Sequence, residues 1–460
     1  MLPSESHRPR RVTTGTHQGS RPPLLRPASF RASLRSTYAY RGWWIVAACF
    51  FVQMIGSGAS GWVFGVLQQP MGTDLGWSRA TVVGAISVAS LVGGLLAARL
   101  GPLVDRQGPR TLMTASLLVG GGAMIALSQV HSVLPYYLIW AVFGLTTPGF
   151  QLLGPVVVIA NWFIRRRALA FMLYTFGSAT AGIVLAPVMA FVASTWGWRT
   201  AWLTMGICIC LLAPISWITV RRRPEDVGLV PDGLDEASAG ANSASGPAGA
   251  TATEAPWTVR EALHTRAYWL LTAGFALQSL PSMSIFIFIA PYVVTKGFSI
   301  AAGASVVSVY GIGVLAGRPV WGTMIARAGM YRTLVMFTTI YGCIVIAFIV
   351  PTTLPPIYAA AIALGIAIAG GQQLQAQVFP DYFGRNVVGA LNGYSGLAYT
   401  VSRAAGPVYA AFVFDATHSY VISFSSFAAA SFLASLAFLL APPPKHASTV
   451  EAPARQPARG

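Results

Sequence analysis

The chain has 460 residues, of which 55% are hydrophobic and only 9% charged. So small a charged fraction cannot clothe a surface of this size in water, which excludes a soluble globular protein and calls for lipid. The formal net charge of +17 does not point to a nucleic-acid partner, because the basic residues between the apolar runs sort to one side, where they set membrane topology.

Residues 1–38 are rich in Arg, Ser and Pro with a single acid, Glu5, and hold too few apolar side chains to fold alone. They are expected to form a disordered cytoplasmic tail and not a cleaved signal, since the apolar run that follows is too long for one. A bilayer core about 30 Å thick takes roughly 20 helical residues to cross. Runs of that kind fall at 44–67, 79–100, 111–129, 134–160, 168–192, 198–220, 268–293, 300–324, 333–350, 356–379, 388–413 and 420–441. Their composition is continuously apolar, not alternating, so a lipid-facing barrel is excluded. The predicted fold is an all-α membrane protein of twelve transmembrane helices in two six-helix halves, 39–220 and 265–441.

The interval 221–264 opens on Arg221-Arg222-Arg223, passes through the Ala/Ser/Gly-rich tract 237–253 and reads as a cytoplasmic linker. Residues 442–460 read as a second disordered tail. Counted from a cytoplasmic N-terminus, one set of connections carries Arg106, Arg110, Arg165 to Arg167, Arg221 to Arg223, Arg327, Arg332 and Arg385. The other holds little beyond Arg79, Arg199 and Lys296. That asymmetry puts both termini in the cytoplasm, with a cell inner membrane as the expected location.

A shift of about 220 residues brings out a repeat. Gly101-Pro-Leu-Val-Asp105-Arg106-Gln-Gly108 aligns with Gly322-Thr-Met-Ile-Ala326-Arg327-Ala-Gly329, and Trp162-Phe163 with Tyr382-Phe383. Parallel halves of this kind place a substrate site between them near mid-depth. The segment Gly101 to Arg110 resembles the signature between helices 2 and 3 of the major facilitator superfamily. There Gly101 and Gly108 would allow a tight turn, and Asp105 would pair with Arg106 or Arg110 as a conformational switch. The alternative is that these charges only set topology.

Four stretches narrow the resemblance: Arg41-Gly-Trp-Trp-Ile-Val, Asn161-Trp-Phe-Ile-Arg-Arg-Arg-Ala-Leu-Ala, Gly197-Trp-Arg-Thr-Ala-Trp and Arg223-Pro-Glu-Asp-Val-Gly-Leu-Val-Pro-Asp-Gly. They resemble bacterial members of the monocarboxylate transporter and oxalate/formate antiporter families. The resemblance implies a small organic anion such as lactate, pyruvate, oxalate or formate as cargo, carried by alternating access.

Two ionisable residues lie deep in the spans, Arg318 in the eighth and Arg403 in the eleventh. A buried charge is costly enough to invite a functional reading, and arginine grips a carboxylate with two parallel hydrogen bonds. Arg318, in Val314-Leu-Ala-Gly-Arg-Pro-Val-Trp-Gly322, matches the Arg of the helix 8 motif in monocarboxylate transporters, which binds the substrate carboxylate. That family's acid one turn earlier would fall at Val314 and its helix 1 Lys near Trp62. Both are absent, which favours exchange or uniport over proton symport. At 1.5 Å per residue Arg318 is expected roughly 10 Å and Arg403 roughly 22 Å from the inner ends of their spans. Gln53, Gln151, Tyr174, Gln278 and Tyr394 are candidates to donate further hydrogen bonds to a carboxylate. Helix–helix bonding is the alternative for each amide, including the group Gln372, Gln373, Gln375 and Gln377.

No catalytic group, cofactor or metal cluster is expected, and Cys49, Cys208, Cys210 and Cys343 read as packing residues in spans. The protein is expected to be a transporter, not an enzyme, with the small anion and the bilayer as partners and the monomer as the favoured unit. The competing reading keeps the fold and makes the chain a multidrug or other solute exporter. It is disfavoured because Pro187 follows Ala186, where such exporters have a Gly-Pro pair.

Overall fold

The computed structural model describes residues 41–164, 166–229, 257–384 and 387–444, with the backbone alone at 97–107, 152, 168 and 389. The expected N-terminal tail, the expected C-terminal tail beyond 444 and the Ala/Ser/Gly-rich tract of the linker therefore lie outside the described residues. Apolar runs with intrahelical hydrogen bonding satisfy every backbone group without water, and the chain forms helices accordingly. These are α1 Arg41–Leu75, α2 Arg79–Gln107, α3 Pro109–Leu127, α4 Val133–Trp162, α5 at 167–196 and α6 at 198–219. After the linker come α7 Arg266–Thr295, α8 Ile300–Ala328, α9 Met330–Ile349, α10 Leu354–Phe383, α11 Val388–Thr417 and α12 Val421–Leu439. Among the described residues there is no strand.

Ten stretches are long and apolar enough to cross a membrane, two fewer than the twelve rods, for two local reasons. Leu169–Thr219 counts as one stretch, but Gly197 at φ 84°, ψ 160° breaks it into α5 and α6. The other reason is α11, thirty residues long, whose Asn392, Arg403 and Asp415 dilute its apolar character. The chain is an integral membrane protein.

The repeat seen in the sequence returns as geometry. Left-handed backbone occurs at Gly76 and Gly297, at Gly108 and Gly329, and at Gly197 and His418. The members of each pair are 221 residues apart, so a positive φ recurs at corresponding helix junctions. Gly108 and Gly329 share one conformation, at ψ 154° and 163°, whereas Gly197 at ψ 160° and His418 at ψ 22° turn differently. Packing repeats too. A Cβ on Gly144 would stand 2.7 Å from Ala89 Cα, and one on Gly365 would stand 2.9 Å from Gly313 Cα, so α4 lies backbone-to-backbone on α2 as α10 does on α8. Small residues allow that approach, and van der Waals contact is what holds helices together in lipid. Gly197 has open space around it, yet its φ and ψ belong to a region open essentially to glycine alone. Gly197→Ala is therefore expected to lower stability by about 1–3 kcal/mol, read as an earlier thermal unfolding transition in detergent, whereas His418→Gly is expected to cost nothing.

The end of the bundle where α6 finishes and α7 begins is here the linker end, opposite the far end. At the linker end several bonds hold each half to itself. Arg110 Nε donates to Trp217 O at 2.7 Å, Asn161 Nδ2 to Arg222 O at 3.0 Å, and Tyr382 OH to Ala441 O at 3.1 Å. At the far end, besides bonds within each half such as Arg199 Nη1 to Asp74 Oδ2 at 2.6 Å, several run between halves. Gln68 Nε2 of α1 donates to Ile287 O of α7 at 2.8 Å, and Ser87 Oγ of α2 to Ala404 O of α11 at 2.7 Å. The Asp415 carboxylate of α11 accepts from the first backbone N–H groups of α2, Arg79 at 3.1 Å and Ala80 at 2.9 Å. Arg79 in turn lies 3.6 Å over the Phe414 ring and donates to Tyr420 OH.

Candidate functional site

Three wide π-turns interrupt the N-terminal helices, at Gly58–Trp62 in α1, Pro148–Leu153 in α4 and Ala181–Leu185 in α5. Such turns misalign the hydrogen-bond ladder and recur at functional sites. Here small residues make room for them, Gly58, Ala59, Ser60 and Gly61 in the first, Gly149 in the second, Gly182 in the third. Two of them carry polar groups that meet, Ser60 in the first and Gln151 in the second. Tyr174 OH of α5 lies 3.0 Å from Gln53 Oε1 of α1, and it also donates to the backbone carbonyl of Gln151 within the α4 π-turn. Gln151 Nε2 reaches toward Ser60 Oγ at 3.5 Å. Three of the expected polar residues, Gln53, Gln151 and Tyr174, are thus gathered into one cluster that joins α1, α4 and α5.

One residue further along α5, Thr175 meets the other half. Arg318 Nη1 of α8 donates to Thr175 Oγ1, and Nη2 lies 3.5 Å from the Thr175 carbonyl. The guanidinium carbon also sits 5.6 Å from the Phe176 ring centre. Arg318 is only partly buried, so the side chain is held at the α5–α8 seam without being sealed in it. No sequence signal marks Thr175, since an apolar helix tolerates a threonine anywhere.

Arg403 is assigned to the interior by helix phase. The exposed apolar residues of α11 include Leu397, Val401, Val408 and Phe412, on one side of a helix that turns 100° per residue. Arg403 lies on the opposite side, in line with buried Tyr399, Pro407 and Ala410, and is nevertheless exposed. An accessible side chain on the inner face opens onto space between the helices, not onto lipid. Tyr394 is nine residues away and so half a turn round, 63% exposed on the apolar side. That is the position of an interfacial tyrosine, and the structure does not bring it to the arginines.

The helix bounds also correct the expected depths. Because α8 runs on to Ala328, Arg318 sits roughly 15 Å from the linker end, against roughly 22 Å for Arg403. Their axial offset is then about 7 Å, close to the reach of one extended arginine side chain, instead of the larger separation read from the sequence.

Gln278 is 3% exposed with neither amide atom hydrogen-bonded. Gly274, one turn earlier, packs on Phe438 of α12. The amide therefore belongs to the interior of the C-terminal half, apart from the Gln53 cluster. In the switch segment, 101–107 completes α2, but the side chains of Asp105 and Arg106 lie outside the described ones. Gly108 makes the turn at φ 83°. The Arg110 guanidinium lies 3.8 Å over the Trp217 ring, with Nε on the Trp217 carbonyl.

Trp62, near which the resemblance would place a lysine, packs instead among aromatic rings of the other half. Its ring packs at 4.6 Å on Phe286 of α7 and at 5.6 Å on Tyr310 of α8, and Nε1 donates to Ser178 Oγ at 3.4 Å. A cleft of about 230 Å³ lined by Gln68, Gln69, Thr73, Trp77 and Arg79 lies at the far end and includes neither Arg318 nor Arg403. Among the described residues no three His, Cys, Asp or Glu side chains group to hold a metal.

A family model described as Major Facilitator Superfamily matches residues 46–407 and 305–459. Monocarboxylate transporter 11 of Mus musculus is 24% identical over 411 residues, covering 83% of this chain and 84% of that one. The protein named "Probable L-galactonate transporter" of Escherichia coli (strain K12) is 29% identical over 157 residues, 34% of either chain. Among solved structures, a bacterial homologue of the human lysosomal transporter Spinster, inward-facing and occupied, matches with a TM-score of 0.64 at 14% identity, over 86% of this chain and 96% of that one. At that identity the likeness is one of fold.

Proposed function

The chain belongs to the Major Facilitator Superfamily, and we propose that within it this transporter moves a small organic anion, a monocarboxylate such as lactate or pyruvate or a small dicarboxylate such as oxalate, by alternating access. The observation that carries this reading is the placement of two arginines, Arg318 at the seam between the halves and Arg403 on the inner face of α11, about 7 Å apart in depth. A fixed cationic pair in a low-dielectric passage favours an anion over a cation or a neutral sugar, and the planar guanidinium selects for carboxylate. Support of a different kind comes from mouse monocarboxylate transporter 11, alike over most of both chains. Trp62 and Val314 leave the centre of the bundle without the ionisable groups that proton coupling would use, so the reading extends to exchange or uniport. On the same reading the linker end, with Arg110, Arg167, Arg221 to Arg223, Arg327 and Arg332, faces the cytoplasm of a cell inner membrane.

Counterflow in proteoliposomes tests it. Vesicles loaded with unlabelled lactate, pyruvate, oxalate or formate are expected to accumulate the labelled form of at least one of them, with a rate that does not change when a pH gradient is imposed. Accumulation driven by the gradient would overturn the exchange reading. Entry of none of the four into vesicles holding folded protein would overturn the anion reading and leave the solute-exporter alternative.

A further inference from the structure

The α5–α8 seam is built mostly for sliding. Gly311 of α8 sits against the backbone of α5, where a Cβ would stand 3.0 Å from Ala179 O, and Ser308 Oγ donates to Gly182 O at 3.2 Å. Among the described residues the charged tie across this seam is Arg318 on Thr175. The pairing is chemically complete on the threonine side. Thr175 Oγ1 has Phe171 O at 2.9 Å and Met172 O at 3.0 Å to take its hydrogen, which leaves its lone pairs for the guanidinium. The carbonyl of the same residue faces Nη2. A single residue of the N-terminal half therefore occupies two nitrogens of the arginine that, on the proposed function, grips the cargo.

We propose that Thr175 is a positioning residue that makes transport an obligatory exchange: it holds Arg318 across the seam while the carrier is empty, and the incoming carboxylate displaces it. A carboxylate offers two charged acceptors where Thr175 offers a neutral hydroxyl and a carbonyl, and charge-assisted bonds are roughly twice as strong as neutral ones. The loaded carrier thus exchanges the tie between halves for a bond to the cargo and is free to rock. The empty carrier keeps the tie and stays where it released the cargo. Small residues along the rest of the seam offer little other resistance. This inference rests on the anion reading of Arg318.

The test compares two rates in proteoliposomes, counterflow exchange and efflux into anion-free buffer, for wild type, Thr175→Val and Thr175→Ser. In wild type, exchange is expected to outrun net efflux. Thr175→Val is expected to raise the ratio of net efflux to exchange about tenfold, the size of effect that follows from releasing a hydrogen bond to a charged group, and Thr175→Ser is expected to return it toward wild type. Binding of oxalate and lactate to detergent-purified protein adds a readout that a merely structural defect would not move in the same direction. Thr175→Val frees Arg318 and is expected to tighten binding several-fold, whereas loose packing would weaken it. Thr175→Ala takes the place of the valine variant if that one does not fold. An unaltered efflux-to-exchange ratio in a folded, exchanging variant would overturn the inference while leaving the anion site intact. Loss of exchange for all four anions in wild type would remove the anion reading itself, and this inference with it.

Discussion

Arg318→Ala is expected to abolish saturable anion exchange, a loss of about thirtyfold or more in rate at sub-saturating anion. The magnitude follows from what the side chain does. Truncating one member of a hydrogen-bonded charge pair costs about 2–5 kcal/mol, much of it from the partner left unpaired, and in a passage walled by helices the unpaired partner would be the carboxylate. Arg318→Lys keeps the charge but loses the fork, so it is expected to recover a fraction of the rate with a raised KM, because an ammonium cannot make two parallel bonds. The measurement is labelled-anion counterflow in proteoliposomes, with monodisperse elution in detergent as the check on folding. Exchange by Arg318→Ala within about threefold of wild type would be too small a loss for a lost charge pair. It would move the anion site to Arg403.

Much of this fold was legible because a bilayer imposes a length scale on sequence. Apolar runs had to be about 20 residues long, and the structure puts a helix on each of the twelve. Where a helix bound moved, the cause is local. The eighth span runs four residues past the expected 324, to Ala328, since nothing in Met324-Ile-Ala-Arg327 disfavours a helix and Gly329 is what ends it. The repeat was legible from Gly108 and Gly329, whose positive φ only glycine adopts readily. Thr175, in contrast, could not be found from sequence, because its role comes from the crossing of α5 and α8, and pairings between helices leave no periodic trace. The same holds for Tyr394. As a residue type it suited the site, but the phase that turns it half a helix away from Arg403 became readable only once the buried face of α11 was known. Gln151 meets Gln53 and Tyr174 from within a π-turn, an irregularity that single-sequence patterns do not reveal.

The far end supplies the second large expectation, through Asp415. Its two carboxylate oxygens accept from Arg79 N and Ala80 N, the first turn of α2, where four N–H groups have no partner within the helix. A carboxylate there also meets the positive end of the helix dipole. What sets this cap apart is that it comes from α11, in the opposite half, so separating the halves at the far end must uncap α2. Losing an N-cap costs about 0.5–2 kcal/mol, which corresponds to about 2–30-fold in the population of the far-open form. Asp415→Ala is therefore expected to expose the seam more often, while Asp415→Asn, still able to accept from one N–H, is expected to lie between it and wild type. Ala404 is a suitable reporter because it is buried and its carbonyl accepts from Ser87 of α2. With the four native cysteines replaced, the alkylation rate of Ala404→Cys by a membrane-impermeant maleimide should rise in the order Asp, Asn, Ala at position 415. Equal rates in all three would mean that the far end is held by the aromatic contacts of Arg79 with Phe414 and Tyr420 and by the Gln68 and Ser87 bonds, with no contribution from the cap. The graded order would make Asp415 the group whose release allows α2 and α11 to part, at the end of the bundle opposite the signature turn at Gly108.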